Sequence, residues 1–434
     1  MTTTPLPFGI ELEFLAIFPT SIVWPNPQYS DDISGGCGAA IYYALVRAGI
    51  SATGWQSEDE GFQDDAAPYT RWSIETDCLS LSPAEEALLP EGFEMESIEL
   101  ASRIFDFRSS DWLDEIRTLL EVLARLELQT GCRFITNAST GLHVHVGNGA
   151  NSKVPLHTAK NVLMLLMAFE RCFDEIHTAN RIGFPEACDL NFSRAPLSFF
   201  HTHNDSTADA TLFDWLANIA QKSTHHSLGS LFYLPGGNAV FTGIVEKRTY
   251  GHNSSVNIEN LFEDEEMQRY EGQLTGTIEF RQHTGTLDLL DIVAWVSLTV
   301  RLVDYSAEVS DTDMLTLCAR GVDLSFGLKD VLTAIGCHAD LLTHYCEDGT
   351  LGLGTIGTAA NALPSSKLDP LLAQNEIEQA QRSDPRAVHA IIDTKNYGLE
   401  EAVNVVSVTL AATQRYLQVA TSNVSSSFAP GTML

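Results

Sequence analysis

F-G-I-E-L-E-F, Phe8 to Phe14, alternates apolar and acidic positions. Successive side chains of a strand point to opposite faces, so Ile10, Leu12 and Phe14 share one face and Glu11 and Glu13 the other. The apolar face belongs to a core. Two neighbouring carboxylates on the opposite face repel unless water or a cation lies between them. Mg²⁺ suits such a pair, being a hard cation that takes a few carboxylates and keeps water or phosphate as its other ligands. Taken alone, the pair reads more simply as a solvated strand face.

Two further stretches repeat the pattern. In G-L-H-V-H-V-G, Gly141 to Gly147, His143 and His145 share one face and Leu142, Val144 and Val146 the other, with flanking glycines that leave room for a ligand near the backbone. Such a pair can bind metal, contact phosphate or satisfy local hydrogen bonds. Zinc is the rival reading, but no cysteine or third histidine stands at the usual spacing. In G-T-I-E-F-R-Q-H-T-G-T-L, Gly276 to Leu287, Glu279 and Arg281 emerge together from one strand face. They form either a same-face ion pair of little consequence, or a metal ligand beside a fork for phosphate or carboxylate oxygens. Carboxylates, histidines and an arginine on one sheet face would make a site able to hold Mg²⁺ and a nucleotide.

Around these strands, Tyr69–Thr76 and Glu96–Ile104 also read as strands, and Gly38–Ala48 as a helix stopped by Gly49. Ser109, Ser110 and Asp111 can cap a helix carrying Trp112, Ile116, Leu119, Leu123 and Leu126 on one face. The spacing of Val162, Leu165, Leu166, Phe169 and Phe173 predicts one helix over Thr158–His177. Helices are also expected at Leu212–Ala220 and throughout the region after Leu287. Strands interleaved with long helices without regular βαβ spacing give an α+β fold with a mostly antiparallel sheet. The expected organisation is a catalytic domain over 1–310, a mostly helical part over 311–420 packed on it, and a mobile Ser-rich tail over 421–434. Gly349–Ser366 reads as a surface loop.

The chain has 25 Lys plus Arg against 57 Asp plus Glu, a net charge of −32. That balance argues against nucleic acid or an anionic membrane as partner, since both need a basic footprint. The eight cysteines are scattered without a C-x-x-C pair, and they read as thiols of a reducing compartment. No apolar run approaches a membrane span, the longest being stretches such as Val162–Phe169 and Ile292–Val300. A cytoplasmic protein is expected; its oligomeric state is not legible.

The three motifs, in this order, resemble the successive signatures of the amidoligase family within the glutamine synthetase and glutamate–cysteine ligase superfamily. R-W-S-I-E-T-D, Arg71 to Asp77, resembles the family's Trp-to-Asp strand, and S-I-E-L-A-S, Ser97 to Ser102, its E-L-x-S strand. K-R-T-Y followed by S-V-N-I-E-N-L, within Lys247 to Leu261, resembles the segment that precedes the E-F-R strand. The resemblance implies a glutamine-synthetase-like fold with a curved sheet and flanking helices. It implies Glu11, Glu13, Glu99, His143 and Glu279 as metal ligands, His145 and Arg281 beside nucleotide phosphates, and Arg281 and Arg248 acting on the phosphate or acyl phosphate. The implied cofactors are ATP and Mg²⁺, or Mn²⁺ in its place, and the partners a small-molecule or peptide carboxylate and an amine. One departure stands out: the family's Asp-x-Ser reads Asp77-Cys78-Leu79 here, with Ser80 displaced by one.

The expected function is therefore an ATP-dependent carboxylate–amine ligase that forms an amide through an acyl phosphate. Its rivals are a metal-dependent hydrolase or phosphotransferase on the same ligands, and an inactive binding or scaffold protein. Intact Glu11, Glu13, His143, His145, Glu279 and Arg281 argue against the last. His201, His203, His225 and His226 lie in polar stretches and are set aside, as is Arg181, which reads as a surface arginine.

Overall fold

The computed structural model describes residues 6–21, 36–53, 69–148, 152–182, 211–229, 231, 255–262, 275–347 and 367–394. Arg248, His201, His203, the 349–366 stretch and the 421–434 tail lie outside them. Within the described residues the fold is α+β, with an open, mostly antiparallel sheet flanked by helices.

The organising strand is β1, Pro7–Pro19, which runs longer than the motif that announces it. It pairs antiparallel with β4 (Phe93–Ala101) on one side and with β7 (Gly141–Val146) on the other. β9 (Ile278–Thr284) follows β7, and β8 (Val256–Asn257) closes that edge. Beyond β4 lies β3 (Trp72–Glu75), then β2 (Ala52–Thr53), which pairs parallel with β3. Short strands β5 (Phe105–Asp106) and β6 (Arg133–Ile135) also pair with β1 at its two ends. All three chemistry-bearing motifs thus lie on adjacent strands.

The alternation in β1 separates two environments. Phe8, Ile10, Leu12, Phe14 and Ala16 enter the main core, built with Val144 and Phe280 of the neighbouring strands and covered by helices α1 (Cys37–Arg47), α2 (Asp111–Thr130), α3 (Leu156–Ala168) and α4 (Leu289–Glu308). Each large apolar side chain fully buried there contributes about 1.5–3 kcal/mol, which fixes the register, because a one-residue slip would drive Glu11 and Glu13 into the core. On the other face Gly9, Glu11 and Glu13 are followed by Leu15 and Ile17. These two join Leu79, Leu81, Ile135, Leu368 and Leu371 in a second, smaller cluster. That cluster lies under α5 (Asp369–Arg382), so the polar site and a C-terminal helix share one face of the sheet.

Two local expectations change. The periodic stretch 158–177 is interrupted at Phe169, where φ is −120°, giving α3 and a short helix Glu170–Asp174. Gly321 packs against the Ala168 carbonyl at that break. At the start of α2 the serine that accepts a backbone N–H is Ser109, bonded by Asp111 N at 3.2 Å, whereas Ser110 makes no capping bond. The described cysteines are free thiols, and no helix among the described residues is long and apolar enough to cross a membrane.

Candidate metal and phosphate site

Three rows of side chains cross the polar face, each set by strand register. Glu75, Glu99 and Glu13 are successive partners across β3, β4 and β1. Ala101, Glu11 and His143 form the next row, and Gly9, His145, Glu279 and Asn257 the third. A register shift between Leu142 and Val144 leaves Arg281 and Gln282 together opposite His143. Such a bulge re-aims the strand. Glu279 and Arg281 keep the polar face, Gln282 donates to Asp174 at 3.0 Å, and the His283 ring packs on Trp295.

The two histidines share Glu11. His143 Nδ1 lies 2.9 Å from Glu11 Oε2 and 3.8 Å from Glu279 Oε1, while His143 Nε2 lies 3.5 Å from Glu13 Oε1. His145 Nε2 lies 2.9 Å from Glu11 Oε1, and its Nδ1 is 3.2 Å from Thr277 Oγ1. Glu279 is held by an ion pair with Arg281 and by Asn257 Nδ2, which donates to its Oε2 at 2.8 Å. Gly141 N donates to Glu13 Oε2 at 2.6 Å. Arg281 is only 7% exposed, so its pair with Glu279 is a buried contact and not the solvated strand-face pair the sequence allowed.

Charge is unevenly compensated over this face. Burial would raise the Glu11 carboxyl, but the His145 charge and hydrogen bonds from both histidines hold it well below the usual carboxylate range. Burial likewise opposes Glu279, yet Arg281 and His145 bring it below its ordinary value. His145 is disfavoured as a cation by burial, but Glu11 and Glu279 lift it to about 9, so it is an imidazolium at neutral pH. Glu99 has no such help: burial, then the charges of Glu11, Glu13, Asp77 and Glu75, push it up to about 9.

The donors sort into two groups, Glu11 with His143 and Glu279, and Glu13 with Asp77 and Glu99, the ligand atoms of each lying within 4.8 Å of one another. Both fit divalent metal. The all-carboxylate group suits a hard cation such as Mg²⁺, and its unrelieved repulsion at Glu99 is what a cation would remove. The group with one imidazole suits Mn²⁺ as well. His143 can offer Nδ1 to a cation while Nε2 faces Glu13, the arrangement in which a carboxylate orients a ligating histidine.

Sequence reasoning missed two residues. Asp77 follows the end of β3 and was weighed only for the serine displaced after it, yet it completes the carboxylate group. Arg181 is 3% exposed, contrary to the surface reading, and its guanidinium donates to the Thr140 carbonyl. A Cβ on Gly141 would lie 2.6 Å from His143 Nε2 and 3.0 Å from Arg181 Nη2. That glycine makes room for the protein's own side chains, not for a ligand. Gly147 likewise abuts Pro7 and Thr277. Arg181 lies in a short polar run after a largely buried helix, and that run gives no hint of burial.

The family model described as "Putative amidoligase enzyme" matches residues 4–303. No curated protein matches the chain. Among solved structures, the chain is similar to a bifunctional glutathione synthetase from Pasteurella multocida at 11% identity and a TM-score of 0.35, over 96% of this chain and 53% of that one. The chain thus spans about half the length of that protein.

Proposed function

Because the chain belongs to the amidoligase family, we propose that it is an ATP- and Mg²⁺-dependent carboxylate–amine ligase that works through an acyl phosphate on a glutamine-synthetase-like sheet. The observation that carries this reading is the pairing of two metal-donor groups with a buried arginine on one sheet face. Glu11, His143 and Glu279 would hold one divalent cation, and Glu13, Asp77 and Glu99 a second. When bound, such cations offset the charge of the triphosphate and orient it for transfer.

The chain's own groups supply the rest. Arg281, fixed by Glu279, presents its remaining guanidinium donors to the phosphoryl group as it passes from ATP to the substrate carboxylate. His145 has both ring nitrogens engaged, by Glu11 and Thr277, so its standing role is to orient Glu11. It reaches a phosphate only by giving up one of those bonds. Arg248, outside the described residues, remains the second candidate for the acyl phosphate. Attack of the amine on the acyl carbon then expels phosphate and leaves the amide.

We take residues 1–310 as the catalytic unit, and the helical part over 311–420 as packed against it, as α5 is over Leu15 and Ile17. The free thiols suit a reducing, cytoplasmic setting. The test supplies ATP, Mg²⁺ and a panel of amino acids and peptides, with hydroxylamine as a general amine. Hydroxamate and ADP appearing together, and only with the right acid, support the ligase. Phosphate release from an ester without nucleotide would point to a hydrolase instead.

A further inference from the structure

A cavity of about 190 Å³ lies where β9 ends, away from the three rows of the polar face. Its polar lining includes Thr178, His283, Asp291, His344 and Tyr345, and among the described residues no lysine or arginine lines it. Leu328 and Val388 give it apolar wall. Thr178 is 5% exposed and Asp291 3%, so the polar groups are built into the interior.

Several of these groups are incompletely satisfied. Thr178 Oγ1 and Tyr345 Oη are buried with no hydrogen-bond partner among the described residues, a costly state unless something occupies the space between them. Asp291 accepts one long bond, 3.3 Å from Thr286 Oγ1, and His344 Nε2 stands 3.6 Å from its Oδ1, beyond hydrogen-bonding distance. His283 Nδ1 donates to the Thr284 carbonyl at 2.7 Å, which leaves Nε2 as an acceptor. Burial keeps that ring neutral, its pKa pushed down to about 4. Burial and the neighbouring Asp288 push Asp291 up to about 7, with the His344 ring, an ion-pair partner only when protonated, 3.6 Å away.

We propose that this cavity binds a small organic cation, a primary ammonium on a short aliphatic body, with Asp291 as counter-ion and Thr178 Oγ1 and His283 Nε2 as further acceptors. An ammonium has three donors and no acceptor, which matches the acceptors Asp291, Thr178 and His283 and, among the described residues, a lining without lysine or arginine. Leu328 and Val388 take the aliphatic part. The chain's net charge of −32 favours approach of such a ligand. His283 follows Arg281 by two residues on the same strand.

The experiment is calorimetric titration of the full chain with n-butylamine at neutral pH, without nucleotide and with Mg²⁺ at saturation. 1-Butanol serves as the uncharged isostere. The expected result is one binding event for butylammonium, at least tenfold weaker binding of butanol, and at least tenfold loss in Asp291→Asn. Raising Mg²⁺ further should not displace the amine. Should Asp291→Asn fail to fold, Thr178→Val decides by a several-fold loss of affinity. No binding by the wild type, equal binding of butanol, full affinity in the folded variant, or displacement by Mg²⁺ each overturns the proposal. Since no step requires ATP, a failed titration leaves the ligase reading standing, and a failed hydroxamate assay leaves the cavity standing.

Discussion

Glu13 and Glu99 are direct partners across β1 and β4, so their carboxylates stand side by side on one sheet face with Asp77 close to both. No lysine or arginine is among the leading influences on Glu99, and burial followed by four neighbouring acids raises it to about 9. Its pKa is therefore higher in the folded protein than in the unfolded chain. The linkage follows: the folded state binds more protons between the ordinary carboxylate range and about 9, so metal-free stability falls as pH rises through that window. Glu99→Gln should flatten this slope and raise the apo melting temperature at pH 8. Mg²⁺ should stabilise wild type more at pH 8 than at pH 6, because binding releases the proton. Melting curves across pH 5–9, with and without EDTA, test both statements, and an unchanged slope in the variant would remove Glu99 from the acidic group.

Asp77→Asn keeps the size of the side chain and removes one charge from the carboxylate group. Two Mn²⁺ sites are expected in wild type by titration monitored with electron paramagnetic resonance. In the variant one site should weaken by roughly 10–100-fold, comparable to other losses around metal centres, while the site at Glu11, His143 and Glu279 persists. Two unaltered sites would show that Asp77 is only a neighbour.

At Gly141 a single methyl group is informative. Its Cβ would lie 2.6 Å from His143 Nε2, so Gly141→Ala must displace that ring. The backbone φ of Gly141 is not in the left-handed region, so the cost comes from this contact. Mn²⁺ binding at the Glu11, His143 and Glu279 group should weaken at least tenfold, with overall stability lowered by about 1–3 kcal/mol, as for overpacking. Retained affinity would mean that His143 is not a ligand.

The main features of the sheet were legible because the signal was periodic. Alternation in 8–14, 141–147 and 276–282 fixes which side chains share a face, and a strand's period of two leaves little freedom once one face is apolar. The resemblance supplied the order of the motifs and the inclusion of Glu99. Asp77 and Arg181 were harder to read because each acts from beside a strand or a short helix, where no period says which way a side chain turns. The interruption at Phe169 was hidden for a similar reason: Gly321, which packs on the Ala168 carbonyl there, is distant in sequence. The cavity beyond β9 draws on Thr178, His283, Asp291 and Tyr345, four positions that only the tertiary fold assembles.

Arg281→Lys separates transition-state contact from simple charge balance. Lysine keeps the charge but loses the planar fork. The pair with Glu279 is buried, so the substitution should cost some stability, though less than the roughly 3–5 kcal/mol expected when a buried pair loses one member, as in Arg281→Ala. Once a substrate pair is known, kcat should fall on the order of 10²–10³-fold, as for loss of a preorganised donor. Unchanged kcat with weaker ATP binding would place Arg281 in ground-state binding alone.

The last prediction concerns how the C-terminal helix supports the site. Glu85 is fully buried in the short helix Pro83–Glu86 and accepts from Asn375 Nδ2 at 2.7 Å, Asn137 Nδ2 at 2.8 Å and its capping Ser82 N at 2.7 Å. Asn375 and Gln379 of α5 also donate to the Thr136 carbonyl, at 2.9 and 2.8 Å. Asn137 N is bonded to Thr140 Oγ1 at 3.0 Å, in the turn that delivers Gly141 and then His143. Asn375→Leu fills the space but leaves Glu85 Oε1 without its donor among the described residues, a loss of about 1–3 kcal/mol. Amide hydrogen exchange should therefore quicken over 136–141 and across α5, and metal affinity at His143 should fall several-fold through the loosened turn. Glu378→Ala is the control, since among the described residues Glu378 hydrogen-bonds Ser82 Oγ and Gln374 at the partly exposed edge of the same helix and not Glu85 or Thr136. It should leave exchange over 136–141 and metal affinity nearly unchanged. If both variants behave alike, the Glu85 hub does not couple α5 to the site, and the helix merely covers Leu15 and Ile17.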